Sequence, residues 1–289
     1  MDWVQQAKEL MVFRARIHQE IDSLFQIIEV QQRDIQTKDQ LMTQLLQNIP
    51  DQFYCPVCNS KLKYFNPLPS EYKINADKYG YVHFDHGEMT SVMTYSCPKC
   101  GASDRERLYA HWMNLQFGKE LKPENEILHF APESALSNWM KRKGFTNYKT
   151  ADLMMSDVDY HVDITRLPFP DDLFDFVICS HVLEHVSSDD LAISELYRII
   201  KPGGLGIIMA PVVVGLERTI EDLSIIDEGE RWRLFGQGDH VRLYAHDDYV
   251  EKLKGNGFVV HELSINDFSL ENFKMMGLKP TSVLYIVEK

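Results

Sequence analysis

DITRLPFPDDLFDFVICSHVLEHV, residues 163–186, decides the fold. Phe174–Cys179 follows the turn formers Pro168–Asp172 and is apolar except at Asp175. A short apolar run bounded by turn residues reads as a strand buried on both faces. Asp189–Ile200 then carries the apolar spacing of an amphipathic helix, and Lys201-Pro202-Gly203-Gly204 ends it. Leu205–Ala210 is a second apolar strand. Strand, helix and strand in that order imply parallel strands with a helical crossover.

The same alternation extends outward. Glu126–Phe130, Tyr148–Asp152 and Tyr160–Ile164 read as strands before the quoted stretch, with a helix at Ser134–Lys143. His246–Asn256 reads as a later helix, and Phe258–Ile265 and Ser282–Glu288 as the last strands. The expected class is α/β, with helices on both faces of a largely parallel sheet. Such sheets bind ligands beyond the carboxyl ends of their strands. Those ends carry HFAPES at 129–134, Asp152, Asp163, and SHVLEHV at 180–186. An acid at the second strand end suits a pair of ribose hydroxyls, which marks Asp152; a helix N-cap is the alternative.

DITRLPFPDDLFDFVICSHVLEHV followed by ELYRIIKPGG (195–204) closely resembles class I S-adenosylmethionine-dependent methyltransferases of the type 11 kind. The resemblance covers about residues 125–289. It extends to a four-cysteine leader, the LHFAPE loop (128–133) and the FGQGDHVRLY segment (235–244). It implies a Rossmann-like seven-stranded sheet and S-adenosylmethionine as cofactor. The family's first strand usually ends in an acidic residue and a glycine-rich turn. Here His129 takes the acidic place, Ala131 the first glycine place and Glu133 the last. Glycine normally permits positive φ and close backbone approach. Ala131 is the next smallest choice, so a rebuilt loop is expected, with Glu133 facing the cofactor's amino group. The resemblance also puts Asp163 and Ile164 at the adenine, and Ser180 and His181 in the methyl-donor pocket. Glu184 and His185 either join that site or brace the following helix.

Methyl transfer from a sulfonium needs alignment, exclusion of water and, for a hydroxyl acceptor, removal of a proton. Histidine suits the last task near neutral pH. His181 and His240 are the candidates. His240 lies in FGQGDHVRLYAHDDY (235–249), where Gln237, Asp239 and Arg242 form a dense polar group expected to hold the acceptor. Residues 212–234 are expected to form a lid. The resemblance suggests a sugar hydroxyl or another small hydroxylated metabolite, including a glycan acceptor.

Upstream, CPVC (55–58) and CPKC (97–100) are separated by 38 residues. Cys55, Cys58, Cys97 and Cys100 can close one tetrahedral Zn²⁺ site, which is structural rather than catalytic. The long spacer suggests a hairpin insertion, with His83 and His86 as exposed loop histidines or a second site. Arg105 and Arg107 follow the second pair and either salt-bridge a helix start or meet an anionic substrate. Cys179 reads as a buried core thiol. The expected division is a coiled-coil helix at 1–50, a zinc ribbon at 51–104, a connecting helix at 105–124 and the methyltransferase domain at 125–289.

Residues 2–49 contain neither Gly nor Pro. Apolar residues fill 11 of the 14 heptad positions from Trp3 through Ala7, Leu10, Ile21, Leu24, Ile28 and Ile35 to Ile49. Arg14, Gln31 and Lys38 interrupt the seam. A helix of about 70 Å cannot bury such a seam alone, so a homo-oligomer is expected. A foreign partner, or the protein's own body, is the other cover.

The net charge of −13 is concentrated at the end of the chain: residues 126–289 hold 16 Lys/Arg against 27 Asp/Glu. That balance argues against a nucleic-acid partner. The competing classes remain an RNA methyltransferase that holds RNA on the ribbon, and a non-catalytic assembly protein. No secretory signal or membrane span is legible, and two CxxC pairs fit a reducing, cytoplasmic location.

Overall fold

The computed structural model describes residues 20, 21, 23–38, 41 and 50–289. The chain divides into two units, residues 1–50 and 51–289. In the first, residues 23–38 are helical, and Ile21, Leu24, Ile28 and Ile35 of the heptad seam are exposed. The seam positions Trp3, Ala7, Leu10, Arg14, Ile17, Met42, Leu45 and Ile49 lie outside the described residues.

The second unit is built on a seven-stranded sheet. Its strands are β3 (Glu126–Phe130), β4 (Asn147–Asp152), β5 (Tyr160–His161), β6 (Phe174–Ser180), β7 (Ile200–Met209), β11 (Val259–Leu263) and β12 (Leu284–Glu288), in the order β11-β12-β7-β6-β3-β4-β5. The strands from β7 to β5 run parallel, while β12 is antiparallel to both β7 and β11. Central β6 is buried at six of its seven positions, as a strand covered on both faces must be. Complete burial of Phe176 there stabilises by about 2–3 kcal/mol. Its neighbour helix α4 (Asp189–Ile199) starts where the Ser188 hydroxyl accepts from Leu191 N–H, with Asp189 and Asp190 in its first turn. It buries Ala192, Ile193, Leu196 and Ile199, one stripe of its surface. The Lys-Pro-Gly-Gly expected to stop this helix is instead drawn into β7, where the register against β6 shifts.

The cysteine segment departs from the expected hairpin insertion. A hairpin of β1 (Phe53–Cys55) and β2 (Ser60–Leu62) carries the first CxxC, but the spacer contains a helix, α1 (Ser70–Tyr79). The chain then lies along β8 (Val212–Val213), with Glu88 N–H donating to Val212 O at 2.9 Å. Helix α2 (Asp104–Gln116) begins in a capping box of Ser103 and Glu106. From it, the buried Arg107 donates to the carbonyls of Thr94, Tyr95, Ala102 and Met276 and lies 3.8 Å from the Phe65 ring centroid. Arg107 therefore fastens the cysteine segment to the sheet domain. One apolar core runs from Cys55 and Phe65 to Val287.

Residues 212–245 form a second, three-stranded sheet over the site, from β8, β9 (Ile220–Glu221) and β10 (Arg242–Ala245), plus helix α5 (Glu228–Phe235). Gly236 ends α5 at φ +85°, and a Cβ there would lie 2.7 Å from the Tyr81 ring. Only glycine permits both the turn and that approach. The remaining helices are α3 (Ser134–Lys143), α6 (His246–Gly255), α7 (Ile265–Phe268) and α8 (Leu270–Met276). No helix among the described residues is long and apolar enough to cross a membrane.

Candidate active site

The ends of β3, β4 and β6 open on one cavity of about 620 Å³. Ala131 lines it and sits at φ +46°, the left-handed conformation that glycine normally supplies. An L-residue there costs about 1–2 kcal/mol, so the loop is held by its surroundings. Ala131 N–H donates to Ala151 O at 3.0 Å. Behind the loop, the buried His129 ring lies 2.8 Å from Tyr148 OH and 3.0 Å from Glu133 Oε2. Glu133 also lies 3.5 Å from Arg105. Burial alone would raise the Glu133 carboxyl; the His129 hydrogen bond and the charges of His129 and Arg105 outweigh it and hold the group at about 2. His129 and Glu133 thus line neither cavity of the site; they support the loop from below.

Asp152, at the end of β4, lines the same cavity. Its Oδ1 accepts from Met154 N–H at 2.6 Å and Met155 N–H at 2.7 Å. Its Oδ2 has no hydrogen-bond partner among the described residues and remains available to a ligand. Asp163, Ile164 and Thr165 form another wall, with Asp163 Oδ1 taking Thr165 N–H and Oγ1–H. Ser180 lines neither cavity; its hydroxyl is buried against Tyr109 OH at 3.0 Å.

A second, inner cavity of about 150 Å³ lies between the cysteine segment and the small sheet. Tyr72, Tyr81, Phe84, Tyr95, Trp232 and Phe235 give it an aromatic wall, and Arg105, Gln237 and His240 contribute polar groups. His181 lines both cavities. Its φ is +56°, and its N–H donates to Met209 O at 2.9 Å. Sustained strain of this kind gathers at functional sites.

Below His181 lies Glu184, which is completely buried. His181 Nδ1 stands 3.1 Å from Glu184 Oε1, within ion-pair range but off the line of a hydrogen bond. Burial would raise this carboxyl; the neighbouring His181 imidazole is the main influence that outweighs it and holds the group below its ordinary value. His240 is also buried, and burial lowers its imidazole despite Glu184. Asp239 lines the larger cavity and stands 3.4 Å from His185 Nδ1.

Arg242, expected to hold the acceptor, reaches neither cavity. It is fully buried, donates to the carbonyls of Leu183, Val186 and Ser187, and pairs with Glu221 at 2.6 Å. Its geometry fixes the loop that carries Glu184 and His185. The sequence does not mark Tyr72, Tyr81, Phe84 and Tyr95 of the cysteine segment as part of the site. Their signal, the stretch Tyr79–Phe84, is visible there, but its docking partner lies more than a hundred residues later.

The four cysteines converge. Cys55 and Cys100 sulfurs are 3.7 Å apart, Cys58 and Cys97 sulfurs 3.8 Å, and all four lie within 4.8 Å of one another. Thiolates placed tetrahedrally about 2.3 Å from one ion stand about 3.8 Å apart, so the set fits a single Zn²⁺. His83 and His86 belong to no such group among the described residues.

Residues 134–208 match the family described as Methyltransferase domain. The chain is 23% identical over 139 residues to a ubiquinone/menaquinone biosynthesis C-methyltransferase of Enterobacter sp., covering 43% of this chain and 50% of that protein. It is 30% identical over 105 residues to a demethylmenaquinone methyltransferase of Listeria welshimeri, covering 36% and 39%. The chain thus spans half or less of the length of these curated relatives. The structure of an S-adenosylmethionine-dependent methyltransferase from Mesorhizobium loti aligns with 62% of this chain and 97% of its own, at 15% identity and a TM-score of 0.41. Residues 134–208 thus carry a match to a methyltransferase domain, set within the seven-stranded, mostly parallel sheet.

Proposed function

We propose that the protein transfers a methyl group from S-adenosylmethionine to a hydroxyl of a small acceptor, a sugar or another hydroxylated metabolite. The observation that carries this reading is the junction of two cavities at His181. The larger one suits the cofactor. Asp152 Oδ2 is free to accept from the ribose hydroxyls, Ile164 offers an apolar face to the adenine, and Asp163 stands at its edge. The inner cavity suits the acceptor, with Gln237 and His240 as polar contacts.

The cofactor supplies a methyl carbon on a sulfonium: the carbon–sulfur bond breaks with its electron pair left on sulfur, and a carbon–oxygen bond forms at the acceptor. His181 takes the hydroxyl proton at the junction. The walls of the inner cavity exclude water, and His240 orients the acceptor from the far side. Arg242 is a positioning residue for the loop below. Cys55, Cys58, Cys97 and Cys100 hold one structural Zn²⁺, which supports the aromatic wall. The exposed seam of the N-terminal helix pairs with a second copy of the chain.

The aromatic wall also favours a second reading, methylation at carbon of a flat hydroxylated ring, in keeping with the names of the quinone-pathway relatives. A crystal structure with S-adenosylhomocysteine tests the common core. The thioether sulfur should lie beside His181 with the ribose on Asp152; a cofactor bound elsewhere contradicts the assignment.

A further inference from the structure

Glu184 is fully buried, and neither carboxylate oxygen has a hydrogen-bond partner among the described residues. Buried carboxylates are normally satisfied, because leaving one bare is costly. What surrounds this one is a set of imidazoles, of which His181 Nδ1 is the nearest, 3.1 Å from Oε1, leaving Oε2 with no hydrogen-bond partner among the described residues. His185 Nε2 stands 3.9 Å from Glu184 Oε1, and one donor atom each of Glu184, His185 and His240 lies within 4.8 Å of the others. Ligands about 2.1 Å from one ion stand about 3–4 Å apart, so closure by at most about 1–2 Å completes a site.

The outer contacts follow the pattern of metal-bound histidines. His240 Nδ1 lies 3.2 Å from the Phe235 carbonyl, which can only accept; the proton is therefore on Nδ1, and Nε2 keeps its lone pair. His185 Nδ1 faces Asp239 Oδ2 at 3.4 Å, which leaves Nε2 toward Glu184. Ligating histidines are oriented in this way by a carbonyl or carboxylate on the second nitrogen. Arg242 holds the carbonyls of Leu183 and Val186 on either side of Glu184 and His185. The local fold thus fixes the donors before any ligand arrives.

We propose that Glu184, His185 and His240 hold one divalent first-row cation at the junction of the two cavities. One carboxylate and two imidazoles suit Mn²⁺, Fe²⁺, Co²⁺ or Zn²⁺ and leave coordination positions open. His240 lines the inner cavity and His185 the larger one, so the ion stands between acceptor and cofactor. It binds the acceptor's oxygen and sets it beside His181, so that His240 orients the acceptor through the ion. This role rests on the methyltransferase reading; the binding itself does not.

The test is Mn²⁺ titration of protein carrying one equivalent of Zn²⁺ per chain, which the four thiolates take, followed by loss of the free-ion electron paramagnetic resonance signal. One Mn²⁺ per chain is expected in the wild type, with affinity reduced more than about tenfold in Glu184→Gln and in His185→Gln. His185 is partly exposed, so its variant is not a burial defect. Circular dichroism and thermal melts of both variants show whether they remain folded. No uptake of Mn²⁺ or Co²⁺ by the wild type, or equal uptake by folded variants, overturns the proposal. Metal uptake without S-adenosylhomocysteine binding keeps the site and sinks the methyltransferase reading instead.

Discussion

His246 Nδ1 lies 2.7 Å from Glu88 Oε1 and joins the cysteine segment to helix α6 across 158 positions of sequence. Tyr285 OH donates to the other Glu88 oxygen at 2.6 Å, and Glu262 faces His246 Nε2 at 2.9 Å. Burial lowers the His246 imidazole, but the Glu88 hydrogen bond and the charges of Glu88 and Glu262 outweigh it and raise the group above its ordinary value. A raised histidine stabilises fully below its unfolded value of about 6.5, and that stability is lost as pH rises through the folded value. His246→Gln should therefore cost up to about 1 kcal/mol at pH 5.5, discounted for partial exposure, and less at pH 9. An equal melting-temperature gap at both pH values would contradict this.

Ala131 carries the strain of the first cofactor loop. Ala131→Gly should relieve the left-handed conformation and lose some unfolded-state restriction, for a net change between 0 and about +1 kcal/mol. Cofactor affinity should be kept. Ala131→Val, with a branched side chain at φ +46°, should lose both stability and affinity. Thermal melts and S-adenosylhomocysteine titration of the pair check this; a more stable valine variant would refute the strain reading.

Glu133 is the anion beneath that loop. Its carboxyl is depressed to about 2, so its contribution is present above the unfolded value and lost as pH falls through about 2. Glu133→Gln should cost roughly 2–3 kcal/mol at pH 7, because Arg105 and His129 lose their counter-charge. The wild-type advantage should shrink between pH 4 and 2 in denaturant titrations. A pH-independent gap would show that the cost is only packing.

The N-terminal seam makes an assembly prediction. Removing residues 2–49 should lower the number of subunits seen by light scattering while leaving S-adenosylhomocysteine binding unchanged. The exposed Ile21, Leu24, Ile28 and Ile35 motivate it. An unchanged subunit number would sink the coil as the assembly element.

The parallel sheet was legible because β6 and β7 announce themselves by apolar runs bounded by turn residues. The cysteine site was legible because CxxC spacing is local. Asp152 and His181 were legible as strand-end residues. What escaped the sequence was contact between distant segments. Arg242 stands in a polar run that looks like a binding loop, yet its donors turn inward to carbonyls near residue 185. Glu133 and His129 occupy loop positions of the family pattern, yet their side chains point beneath the loop to each other. Helix α1 has weak amphipathicity, and the aromatic residues after it gain meaning only against Trp232 and Phe235.

In the proposed assignment, a glycine-free loop still serves a cofactor whose ribose sits on Asp152. The most direct measurement is calorimetric titration of the zinc-loaded protein with S-adenosylhomocysteine, beside Asp152→Ala. The wild type should bind with micromolar affinity, weakened at least about a hundredfold in the variant, at roughly 1.5–3 kcal/mol per charged hydrogen bond lost. Absence of binding to the folded wild type, or equal binding by the variant, would contradict it.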